Sequence, residues 1–97
     1  MRFEVKAFVE LGPLPPESAD LEVIERAERA LQAISAPITD DEAKALIGCF
    51  GEDDCFGLGW TLLHLIETAP MPLPETAPHE GDNPWLHLLY ARIEAAT

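Results

Sequence analysis

Phe50-Gly51-Glu52-Asp53-Asp54-Cys55-Phe56-Gly57-Leu58-Gly59-Trp60-Thr61-Leu62-Leu63-His64-Leu65-Ile66-Glu67-Thr68-Ala69-Pro70 decides the fold. An acidic turn leads into a segment that is apolar almost all round and stops at a proline. Gly57, Thr61, His64 and Thr68 fall at i, i+4, i+7 and i+11, so they share one narrow helical stripe. Apart from Glu67, the rest of the surface is apolar, and a helix of that kind has to be enclosed by other elements. The stretch therefore reads as a central helix over about residues 54–68, with Asp53 or Asp54 as its N-cap and Pro70 as its stop.

Working upstream, Thr39-Asp40-Asp41-Glu42 has the spacing of a capping box, and its acids complement the helix dipole. It predicts a short helix to about Phe50 that buries Ala43, Leu46, Ile47 and Phe50, ended by Gly51 in a left-handed turn. Ser18 to Ser35 is amphipathic. Leu21, Ile24, Ala27, Leu31 and Ile34 form its inner side, and Glu22/Arg26 and Glu25/Arg29 are acid-first i,i+4 pairs. Between it and the N-terminal segment, Gly12-Pro13-Leu14-Pro15-Pro16 reads as a rigid linker.

The segment from Arg2 to Leu11 fits either helix or strand. Phe3, Val5, Ala7 and Val9 alternate with other residues, whereas Phe3, Ala7, Phe8 and Leu11 share a helical face. No partner strand is visible elsewhere and a lone strand leaves its backbone groups unpaired, so helix is favoured. Downstream, residues 69–83 form a proline-rich loop that reads as a strap tucking in Met71 and Leu73. Asn83-Pro84 matches an N-cap with proline at the first helical position, which opens a last helix to about Ala95. The expectation is a single all-α domain over residues 1–97, a compact bundle of four to five short helices around the central one.

Charge limits the function. Asp+Glu 18 against Lys+Arg 6 gives a net −12, and the resulting field repels nucleic acid and anionic membranes while favouring cationic partners. No apolar run reaches the length of a membrane span, and Arg2, Glu4 and Lys6 interrupt any signal-peptide core, so a cytoplasmic location is expected. The acids are also unevenly balanced. From Ala45 to Ala91 there is no Lys or Arg to offset Glu52, Asp53, Asp54, Glu67, Glu75, Glu80 and Asp82.

Cys49, Cys55, Asp53, Asp54 and His64 lack the paired spacings of a zinc site, and the acidic run lacks the alternation of a calcium loop. The acids also oppose a reactive thiolate at Cys55, which leaves both cysteines as buried small hydrophobes or as a bridge across the turn. His64 and Glu67, spaced i,i+3, are the residues a small metal-dependent or His/acid-based hydrolase would use together with the acidic turn at 52–55. No catalytic residue, metal or cofactor is assigned. Both tryptophans read as core.

The stretch from Cys49 to Pro70 resembles a segment of small uncharacterised acidic proteins of bacterial, especially actinobacterial, type, a likeness that brings no activity with it. In size, helicity and acidity the chain is also similar in general character to immunity proteins. The function expected is a non-enzymatic acidic interaction module, such as an inhibitor or immunity protein, binding a basic partner through Glu52, Asp53, Asp54, Thr61, His64, Glu67 and Thr68. The sequence leaves room for a homo-oligomer.

Overall fold

The computed structural model describes residues 1–96, in which five α-helices and no strand are found among the described residues. They are α1 (Phe3–Glu10), α2 (Leu21–Gln32), α3 (Asp40–Leu46), α4 (Leu58–Ile66) and α5 (Pro84–Ala96), with a 3₁₀ turn at Ile47–Cys49. The all-α expectation holds, and the segment at 2–11 is helix. α1 packs on α2 and α3, and α4 packs on α3 and α5. Val5, Phe8, Ile24, Leu31, Leu46, Leu62, Leu63 and Leu89 belong to one buried cluster, to which α4 contributes Leu58, Leu62, Leu63, Leu65 and Ile66.

α1 satisfies neither of the simple patterns in full. Val5 and Phe8 are buried, while Phe3 and Leu11 are exposed, because a helix of two turns can show the core only a narrow strip. In α2, Ile24, Ala27 and Leu31 are buried as expected, and Ile34 follows just past its end. Leu21 corrects the expectation: it is 69% exposed at the first helical position, where the chain is still arriving from the linker. Of the two acid-first pairs, Glu25–Arg29 closes at 3.9 Å.

α3 carries the predicted capping box, with Glu42 N–H donating to Thr39 Oγ1 at 3.2 Å and Thr39 N–H donating to Glu42 Oε1 at 3.0 Å. The same carboxylate does more. Arg2 donates to it from its backbone N–H (3.1 Å), from Nε (3.0 Å) and from Nη2 (3.1 Å), so the N-termini of α1 and α3 are stitched together at one side chain. Glu42 is only 1% exposed and is the one buried charged residue among those described. Four donors hold its pKa down to about 2, with the Arg2 guanidinium as the main cause.

Gly51 has no left-handed backbone, contrary to the expected C-cap role. Its function is spatial: a Cβ there would collide with the Leu14 carbonyl, so the linker can lie against the turn only over glycine. Leu14 N–H donates to Cys49 O at 2.8 Å, and Asn83 Nδ2 donates to Gly51 O at 2.9 Å. Asn83 also caps α5 as predicted, its Oδ1 accepting from Trp85 N–H at 2.9 Å. Within the strap Leu73 is buried, but Met71 is 53% exposed, which corrects the expectation that both tuck in.

Candidate functional site

The central helix begins later than the 54–68 reading, at Leu58, because the residues before it turn the other way. Cys55 (φ 48°), Phe56 (φ 55°) and Gly57 (φ 96°) are all left-handed. Only glycine adopts that conformation without penalty, and for Cys and Phe it costs on the order of 1 kcal/mol each. The strain is held by backbone N–H groups donating to acids. Asp53 Oδ1 accepts from Cys55 N–H (2.9 Å), Asp53 Oδ2 from Glu17 N–H (3.0 Å), and Glu17 Oε2 from Phe56 N–H (3.0 Å). Linker and lip thus clasp each other.

The N-cap of α4 is Gly57, not Asp53 or Asp54 as expected, and Asp54 serves the first turn from farther back. Its Oδ1 accepts from Trp60 N–H at 3.2 Å and its carbonyl from Gly59 N–H at 2.9 Å, reaching over the left-handed turn to the start of α4. The acids of the lip therefore differ in what they can still do. Both oxygens of Asp53 and one of Asp54 accept from backbone donors, whereas Glu52 is exposed. Glu17 joins them from the linker, a contribution that sequence spacing gave no reason to expect.

The reversed turn sorts two neighbouring side chains. Cys55 is fully buried and Phe56 is 68% exposed. Trp60, one turn into α4, is 41% exposed, so it is not the core residue expected. It meets Trp85 edge to face at 5.5 Å and stacks on His64 at 5.9 Å, while Trp85 stacks on buried Phe50 at 5.4 Å. This places Trp60 on a rigid aromatic footing. Gly59 allows it, since a Cβ there would strike the Trp85 ring.

Farther along the stripe, His64 Nδ1 lies 3.3 Å from Glu67 Oε1, so these two residues do meet. Glu67 is also gripped by Arg92, whose Nε donates to Oε2 at 2.6 Å and Nη2 to Oε1 at 3.0 Å. Arg92 is the main reason its carboxyl lies below the usual range, and a carboxylate held that firmly is a poor general base. The two threonines of the stripe serve the backbone. Thr61 Oγ1 donates to Gly57 O at 3.1 Å, and Thr68 Oγ1 donates to Leu65 O at 2.6 Å while accepting from Ile38 N–H at 3.1 Å.

Both cysteines are free and buried, and burial raises both thiols; at Cys55 the charges of Asp53, Glu17, Asp54 and Glu28 add to it. No three His, Cys, Asp or Glu side chains among the described residues gather in a metal-binding arrangement. No helix of the described residues is long and apolar enough to cross a membrane.

In class the chain is an all-α bundle with an acidic lip bearing exposed aromatic residues. Comparison with protein-family models, with curated proteins and with solved structures finds no match.

Proposed function

We propose that this protein is a non-enzymatic interaction module that binds a basic protein through the lip and the exposed stripe of α4, in the manner of an inhibitor or immunity protein. The observation that carries the reading is Phe56. A large aromatic side chain is held out to solvent in a left-handed conformation, at an energetic cost, with Glu17 on its backbone N–H and Glu52, Asp53 and Asp54 in the same turn. Exposed aromatics that anchor in a partner pocket, with nearby charges that steer the encounter, are typical of binding hot spots. Trp60 extends the anchor, and His64, Glu67 and the edges of Thr61 and Thr68 continue the surface.

The division of labour among the acids selects the variants. Charge reversal of Asp53 or Asp54 would remove the donors' partners and disturb the lip itself, so Glu52→Lys and Phe56→Gly are the cleaner probes. Phe56→Gly relieves the left-handed strain, and its stability is expected to equal or exceed wild type by up to about 1 kcal/mol. Its binding should nevertheless fall by roughly 2 kcal/mol or more, the scale of a hot-spot residue. Affinity capture of basic proteins at low ionic strength, repeated at high ionic strength, reads both effects: Glu52→Lys should weaken capture chiefly at low salt and Phe56→Gly at both. Equal capture by wild type and Phe56→Gly would remove the proposal.

A further inference from the structure

We propose a second site, of opposite charge: the hollow between the end of α1, the linker and α2 binds a small branched carboxylic acid, its apolar body in the hollow and its carboxylate on Arg26. The hollow measures ≈ 110 Å³. Phe8, Leu14 and Ala27, all buried, line it together with Leu11 and Val23, which are both 45% exposed. Two of the exposed apolar side chains therefore meet at one hollow instead of standing singly on the surface. Gly12, left-handed at φ 87°, turns the chain out of α1, and Pro13 and Pro15 stiffen the linker side, so the hollow is formed before any ligand arrives.

Charge selects the occupant. In a chain of net −12 the lining holds no acid and a single cation, Arg26. That guanidinium is unpaired among the described residues: Glu22, one turn before it, leaves it open, whereas Glu25 takes Arg29. The backbone adds no free donor on the linker side, because Gly12 N–H is used on Val9 O, Leu14 N–H on Cys49 O, and Pro13 and Pro15 have none. An apolar hollow whose one available polar group is a guanidinium fork complements a carboxylate carried on an apolar body. An apolar cavity of about 150 Å³ admits a benzene ring, so a body of about four carbons suits this one. No residue of the lip lines the hollow, and the inference stands apart from the function proposed above.

The probe is isovalerate, titrated into the full chain at neutral pH and constant ionic strength while the methyl signals of Leu11, Leu14 and Val23 are followed by NMR. Isovaleramide keeps the apolar body without the charge, and acetate keeps the charge without the body. Isovalerate should shift all three residues saturably and bind roughly threefold or more tighter than the amide, the scale of an exposed charge pair, while acetate should give no saturable shift. Arg26→Gln, at an exposed position, should bring acid and amide to parity without weakening the amide, and Arg26→Lys should keep part of the preference for the acid. Phe56→Gly should bind isovalerate as wild type does, so failure of the lip and failure of this hollow are separable. Absence of saturable shifts, or equal binding of acid and amide to wild type, would overturn the proposal. So would matching shifts from acetate, or a preference for the acid that survives in Arg26→Gln.

Discussion

Replacing Glu42 with Ala should destabilise the protein by about 3 kcal/mol, as read from the urea midpoint at unchanged slope. The substitution deletes the acceptor of four hydrogen bonds, leaving the backbone N–H groups of Arg2 and Thr39 unpaired and detaching α1 from α3. The lower end of the range for broken buried pairs applies because Arg2 is 40% exposed and regains water once released. Glu42→Gln keeps an amide oxygen for the cap and should lose about half as much. The pH dependence has a definite sign. The folded-state pKa of Glu42 lies near 2, below its ordinary value of 4.5, so its contribution is complete above that ordinary value and is lost as pH falls toward about 2. The gap between wild type and Glu42→Ala should therefore be widest at neutral pH and close on acidification. A gap that stayed constant would mean that the carboxylate's charge is irrelevant there.

Gly51→Ala should cost about 3 kcal/mol, because Gly51 is buried and the added methyl meets backbone rather than a movable side chain. Relief requires the linker at Leu14 to move away from the turn. Such a shift stretches the Leu14 N–H bond to Cys49 O and draws Glu17 away from Phe56 and Asp53. The substitution should thus loosen the lip as well as the fold. Amide hydrogen exchange at Cys55 and Phe56 would separate the two consequences: faster exchange at both is expected, and protection equal to wild type would show that the linker does not support the lip.

These two residues also mark how far the sequence could be read. The capping box at Thr39–Glu42, the Asn83 cap and the apolar centre of α4 are local signals, each set by spacings of a few residues, and all are found as expected. Arg2 on Glu42 and Leu14 over Gly51 join positions far apart in the chain, and no local spacing encodes such meetings. The same holds for Glu17 at the lip. Boundaries erred for a different reason: Asp54 serves the first turn of α4 from beyond a left-handed turn, and a Cys-Phe-Gly run gives little sign that two non-glycine residues will adopt that conformation. Trp60 looked like core because it lies on an apolar helix, yet nine residues make a helix too short to be enclosed on every side. The acidic surplus was legible from composition. Which acids accept from backbone donors was not, because those donors are placed by the fold.

The lip as a docking surface for a basic protein is tested most directly by placing the photo-crosslinker p-benzoylphenylalanine at position 56 and, as a control, at position 25 on the outer face of α2. Irradiation in extract at low ionic strength should yield an adduct from position 56 with a protein of isoelectric point above about 9, absent from position 25 and lost at about 0.5 M salt. Identical adducts from both positions, or an adduct from position 56 that is insensitive to salt, would contradict the account.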